Sequence, residues 1–220
     1  MNKIKLALLA LIFISVNTKC KDGLNAKNEI EQGIKSYNNK NYDEAFKLLS
    51  KNDSSTDFKA DPQANFCLGV MYYTGQGVVQ NYAEAIKWLA LAAEKGNIEA
   101  AHDLGVIYQD GNNAVPQNID EAIKWYRKAA DEGYANSQLN LGIIYQEGKM
   151  VKQDYTEALK WYNKAAVQKS AGAQYNLALM YANGYGVEIN EQEALRQLHL
   201  SANQGFEKAK ELLKKMGIAD

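Results

Sequence analysis

Four polar pairs sit three residues apart along the chain: Asn81 and Glu84, Asn118 and Glu121, Asp154 and Glu157, Asn190 and Glu193. Acids at that spacing share a helical face and could do acid–base work. The same pattern is also the capping box, where the first side chain accepts an orphan backbone N–H and the glutamate reaches back. Four tandem copies favour capping over a catalytic pair. Gly75-Gln76-Gly77 and Gly184-Tyr185-Gly186 could suggest a phosphate loop. A dinucleotide loop needs a strand before it and a third glycine entering a helix, and neither is present. His102 and His199 are the only histidines, and Cys20 and Cys67 the only cysteines. They support neither a histidine-built metal site, a four-cysteine zinc site nor a disulfide scaffold. Gly-x-Ser-x-Gly, Ser-x-x-Lys and His-Glu-x-x-His are all missing. The sequence therefore names no catalytic residue, metal or cofactor. With 25 Lys and Arg against 26 Asp and Glu, it gives no basic surface for nucleic acid.

The elements that carry these pairs repeat. Gly69, Gly105, Gly142 and Ala178 mark successive units, 36, 37 and 36 residues apart. Each marker follows a leucine (Leu68, Leu104, Leu141, Leu177) and precedes by three a tyrosine (Tyr72, Tyr108, Tyr145, Tyr181). Trp88, Trp125 and Trp161 share a later column, where the fourth unit has Gln197. A period near 36 means a solenoid of small units. The apolar spacing within each unit reads as two helices. The marker glycines predict close approach of two helix backbones, with the tyrosine of the same helix covering the gap. The tryptophans should lie buried between neighbouring units. Gly96, Gly133 and Gly205 should end second helices as left-handed caps. Lys169 holds that place in the third unit, which predicts an irregular turn there.

The flanks extend the array. Residues 26–60 read as a first helix pair with a loop over Asn52–Asp61. Residues 61–205 form four units, about 61–97, 98–134, 135–170 and 171–205. Residues 206–220 read as a C-terminal capping helix, with Gln197 turned outward at the same end. Lys3 and Lys5 followed by the apolar Leu6–Val16 predict a signal peptide over residues 1–19. Export to the periplasm or beyond follows, and Cys20 is a candidate lipid attachment point. A membrane would be met only through such an anchor.

Ala64, Leu68, Gly69, Tyr72, Gly75, Gly77, Val78, Ala85, Trp88, Ala92, Ala93 and Gly96 together resemble the Sel-one-like repeat, a relative of the tetratricopeptide repeat. Residues 26–52 look more like a tetratricopeptide unit because their connection is short. The resemblance implies an all-α fold, a right-handed α/α superhelix of helix-turn-helix units. It also implies an adaptor of the exported bacterial type. A helicobacter branch of the family is linked with beta-lactam binding or hydrolysis, but those proteins place a cysteine pair in each repeat. Cys67 is the only cysteine of these repeats, so the activity does not carry over.

The function that follows is a non-enzymatic scaffold holding a protein or peptide on the concave face. The alternatives are a small-molecule binder or enzyme such as a beta-lactam hydrolase, and a structural or inhibitory envelope protein. Helical phase selects the partner face. The column three before each marker is Phe66, His102, Leu139 and Tyr175. The column four after it includes Tyr73, Gln109 and Gln146, and Asn140 and Asn176 lie alongside. Rings give contact area at low entropy cost, and amides can meet a partner backbone. Packing on the next unit is an equal alternative for Leu139 and Tyr175. Gly69, Tyr72, Trp88, Gly105, Tyr108, Trp125, Gly142, Tyr145 and Trp161 are assigned to structure.

Overall fold

The computed structural model describes residues 24–218, and every regular element among them is a helix. The expected signal peptide and Cys20 lie outside the described residues. The chain forms α1 (24–38), α2 (Tyr42–Asn52) and the short α3 (Thr56–Ala60). Four pairs follow: α4 (Pro62–Thr74) with α5 (Tyr82–Glu94), α6 (Ile98–Asp110) with α7 (Ile119–Asp131), α8 (Ala135–Glu147) with α9 (Tyr155–Val167), and α10 (Ala171–Asn183) with α11 (Glu191–Asn203). α12 (Glu207–Lys215) is last. The fold is an all-α repeat solenoid of paired helices. Two compact units divide at Ala100 and Ala101, inside α6.

The second helices start as the sequence predicts, with one difference. Asn81 accepts the N–H groups of Ala83 and Glu84 at 3.1 and 3.2 Å. Asn118, Asp154 and Asn190 accept those of Glu121, Glu157 and Glu193 at 3.1, 2.9 and 2.9 Å. The glutamates do not reach back. The backbone N–H they would take already donates to the first helix of the same pair. Asn81 gives it to Tyr72 O, Asn118 to Tyr108 O, Asp154 to Tyr145 O and Asn190 to Tyr181 O, at 2.8–2.9 Å. The freed glutamates pair instead with Lys87, Lys124, Lys160 and Arg196, one turn on.

The ends of the second helices differ from expectation at one place. Gly96, Gly133 and Gly205 have positive φ as foreseen, but Lys169 adopts it too, at 63°. Its N–H bonds Ala166 O at 2.8 Å, and Ser170 N–H bonds Ala165 O at 3.1 Å. Gly96 and Asn97 make the same pair of bonds to Ala93 and Ala92. The turn is therefore regular, because its hydrogen bonds hold a lysine in a left-handed conformation.

In the first unit, the stretch 52–61 is not a loop throughout. Phe58 is its one aromatic residue, and α3 carries it into the core at zero exposure. The ring meets Trp88 edge-on, with centroids 5.6 Å apart. Ser55 Oγ accepts the Phe58 N–H at 3.1 Å and fixes the turn. Around this pair pack Ile30, Ala45, Leu49, Leu68 and Met71. Cys67 is fully buried here, and burial pushes its thiol up to about 12.

In the second unit, the space over Gly105 and Gly142 is filled from the second helix of each pair, not by the tyrosine of the first. A Cβ on Gly105 would run into the Tyr126 ring, and one on Gly142 into the Tyr162 ring. Both rings are essentially fully buried. Trp161 is buried at 3% exposure, as Trp88 is at 4% in the first unit, whereas Trp125 is half-buried. Gln197 does not turn outward. It is 7% exposed, and its Nε2 donates to Glu193 Oε1 at 2.9 Å. Trp161 Nε1 makes the same bond to Glu157 Oε1 at 2.9 Å, so the amide stands in for the indole N–H.

Candidate interaction surface

The helix spacing places the nine candidate partner residues beside the core stripe of the first helices, and all nine are half-buried. In the first unit, Tyr73 meets Tyr82 edge-on at 5.5 Å, and Phe66 lies two turns before it on α4.

In the second unit the candidates are joined to residues of neighbouring helices. His102 Nδ1 lies 2.9 Å from Ser137 Oγ, and its ring contacts Tyr126 and Tyr134 at 5.6 and 5.0 Å. Burial holds its pKa below the ordinary histidine value. Tyr126 hydrogen-bonds Asn140, and Tyr162 hydrogen-bonds Asn176. Tyr162 also donates its hydroxyl proton to Gln146 Oε1 at 2.6 Å. Burial drives both phenols well above their usual range, with the amides opposing it. Gln109 holds the place of Gln146, and its Oε1 is buried with no hydrogen-bond partner among the described residues. Leu139 packs into the core around Tyr162 and Leu177, against Gly172. Tyr175 packs on Phe206 at 5.4 Å.

A row of phenol–amide pairs thus recurs at the repeat step: Tyr126 with Asn140 and Tyr162 with Asn176 each link the second helix of one pair to the first helix of the next, while Gln146 meets Tyr162 within its own pair. Residue-by-residue reading singled out the amides but missed Tyr126, Tyr162, Tyr134 and Ser137. A signal was present. Where a second helix carries tyrosine after its tryptophan, asparagine follows 14 residues later: Tyr126 with Asn140, Tyr162 with Asn176. Where it carries Leu89 or Leu198, the later residue is Asp103 or Leu212.

The glycine loops are occupied by protein. A Cβ on Gly77 would sit 2.5 Å from the Tyr42 carbonyl oxygen, and one on Gly186 2.8 Å from the Tyr155 carbonyl carbon. Each second glycine lets its loop rest on the start of the preceding pair's second helix. The turn reading therefore has a packing reason. Among the described residues no cluster of three or more His, Cys, Asp or Glu could hold a metal ion. No helix among them is long and apolar enough to cross a membrane.

The Sel1 repeat model matches residues 33–51, 62–97, 98–134, 135–169 and 171–206. No curated protein matches the chain. Among solved structures, a Sel1 repeat protein from Oxalobacter formigenes is 32% identical, with a TM-score of 0.73 over 82% of this chain and 70% of that one. The protein c5321, a protective antigen of uropathogenic Escherichia coli with an SLR fold, is 31% identical at a TM-score of 0.78. That match covers 90% of this chain but only 43% of c5321. Cysteine-rich protein B of Helicobacter pylori is 25% identical, with a TM-score of 0.48 over 60% of this chain and 93% of that one. Matched units over most of the length, with the paired helices and phased caps described above, make this chain a member of the Sel1 repeat family.

Proposed function

We propose that the chain is a non-enzymatic scaffold that holds a protein or peptide on the face of its first helices, outside the cytoplasm. The observation that carries this reading is the recurring phenol–amide row. Asn140, Gln146 and Asn176 each have more hydrogen-bonding capacity than one phenol uses, because a side-chain amide offers two donors and an acceptor oxygen with two lone pairs. All three sit half-exposed, and Asn140 and Asn176 stand one repeat step apart, suited to the backbone of an extended or helical segment. A small-molecule site would converge on one enclosed pocket with a few polar groups instead. The export half of the proposal rests on the Lys3, Lys5 and Leu6–Val16 pattern. The description of c5321 as a protective antigen agrees with exposure outside the cell.

The test is crosslinked capture from the native envelope, followed by affinity measurement with the partner found. Replacing His102, Gln109, Asn140 and Tyr175 by alanine together should weaken binding at least tenfold in a variant that keeps its helical circular dichroism. Unchanged affinity would move the site elsewhere, for example to the loop at Gly111–Pro116. Saturable beta-lactam binding or turnover by the parent would replace the scaffold reading. For export, the mass of the native protein should place its start near residues 18–21, and acylation would show on Cys20. An intact Met1 would refute export.

A further inference from the structure

We propose that the C-terminal end of the second unit binds an aromatic side chain, tyrosine or tryptophan, presented by a partner polypeptide. The site is a cavity of about 390 Å³ between α10, α11 and α12, walled by Ala178, Leu179, Ala182, Leu195, Leu198 and Leu212. Its rim holds Glu191 and the exposed Met216.

The repeat shows what belongs there. Stepping back 36 residues, Leu198 becomes Tyr162, Ala182 becomes Gln146, and Gly217 becomes Tyr181. At that earlier position Tyr181 packs against the core cluster that contains Ala158 and Tyr162, as Leu159 does. One unit earlier still, Tyr145 packs against the core cluster that contains Ala122 and Tyr126, as Ile123 does, and its hydroxyl accepts from Arg127 at 2.7 Å. Both equivalent grooves are thus filled by tyrosine rings. At the last groove the second-helix ring is shortened to leucine and the glutamine to alanine. The next first helix stops before its tyrosine column: α12 ends at Lys215, and Gly217 follows with φ 72°. The cavity is the space those side chains occupy elsewhere.

The walls also set the chemistry of the guest. Leu212 stands where Asn176 and Asn140 stand, so the polar pair of the internal grooves is replaced by leucines. An apolar ring therefore suits the walls. Glu191 replaces Tyr155 and Ile119 at the first position of its helix, giving a carboxylate that can accept a phenol O–H or indole N–H. A second copy of this chain is a poor guest. Gly33 meets Leu49 as Gly69 meets Leu89, which puts Ser36 in the tyrosine column of α1. Stacking α1 on the last pair would supply serine and leave the groove empty. This site uses none of the amides of the first-helix face, so the two proposals stand or fall separately.

The test titrates N-acetyl-tyrosinamide, N-acetyl-tryptophanamide and N-acetyl-leucinamide into methyl-labelled protein. NMR is read at the methyls of Leu179, Leu195, Leu198, Leu212 and Met216. The aromatic amides should give saturable shifts there, and the leucine amide should bind at least tenfold more weakly. Ala182 is exposed at the mouth, so Ala182→Trp should block the groove, and Ala182→Gln should narrow it with the residue native to the internal grooves. Either variant, melting like the parent, should lose at least tenfold in aromatic-amide affinity. Peptides selected by display on the parent and counter-selected on Ala182→Trp should carry tyrosine or tryptophan. Equal binding of the leucine amide, shifts confined to other methyls, or selected peptides without aromatic residues would overturn the proposal. Groove shifts that appear on concentrating the protein alone would overturn it too, by identifying a second copy as the guest.

Discussion

Adding one methyl group at Gly142 tests the packing logic of the second unit. A Cβ there would lie 2.5 Å from Tyr162 Cδ1 and 3.0 Å from its Cζ. The ring cannot swing aside easily, because it is fully buried and its hydroxyl is held by Gln146 and Asn176. Overpacking of this kind costs about 1–3 kcal/mol. Alanine returns about 1 kcal/mol through its better helix propensity. Contacts this short against a held ring select the upper part of that range, about 2–3 kcal/mol, so Gly142→Ala should destabilise by about 1–2 kcal/mol, read from urea denaturation. The fourth pair shows how the clash is relieved, since Ala178 there faces a chain with Leu198 in place of the tyrosine. In a Tyr162→Leu background, Gly142→Ala should become neutral or stabilising, although Tyr162→Leu is itself destabilising. The double-mutant cycle should then show a coupling of about 1–3 kcal/mol, as expected for residues in contact. A Gly142→Ala variant as stable as the parent, or the same cost in both backgrounds, would refute this reasoning.

Trp161→Ala should cost about 3–5 kcal/mol in the same assay, because it empties a buried site and orphans a bond to Glu157. Trp125→Ala should cost less, since Trp125 is half-buried. Lys169→Gly should raise stability by up to about 1 kcal/mol, because glycine adopts positive φ without the Cβ penalty, while its flexible unfolded chain takes back part of the gain. His102 has a folded pKa lowered by burial among Ser137, Tyr126 and Tyr134. The unfolded state therefore binds the proton more readily, and this contribution is present above the unfolded pKa and lost as pH falls through the folded one. Urea melts in steps from pH 7.5 downward should show stability falling, and His102→Gln should flatten that part of the profile.

Most of the architecture was legible because the repeat writes each position several times. Leu68, Gly69 and Tyr72 mean little alone, but four aligned copies separate core columns from surface ones. What occurs once was harder to read. Phe58 is a single aromatic residue in a polar stretch, and only its burial against Trp88 shows that the stretch folds inward. Lys169 breaks the glycine column, yet local hydrogen bonds keep the turn regular, a choice that propensity alone predicts against. Gln197 looked like a terminal polar residue because the bond replacing the indole N–H is a matter of geometry. On the candidate surface, side-chain type identified Asn140 and Asn176, but their tyrosine partners came from another helix. Those pairings become visible only when columns are compared with each other.

The bond from each second-helix cap to a first-helix tyrosine carbonyl closes the intervening turn like a clasp. Whatever lies inside the clasp is relieved of setting the helix register. The second turn uses this freedom to hold an additional residue, and the third replaces its second glycine with Met150, while both keep the closing bond. Length and side-chain identity can thus drift within these turns, with the helices held in step. A family built this way can vary its surface labels unit by unit, and a designer could graft a short epitope between Gly111 and Asn118 on the same terms.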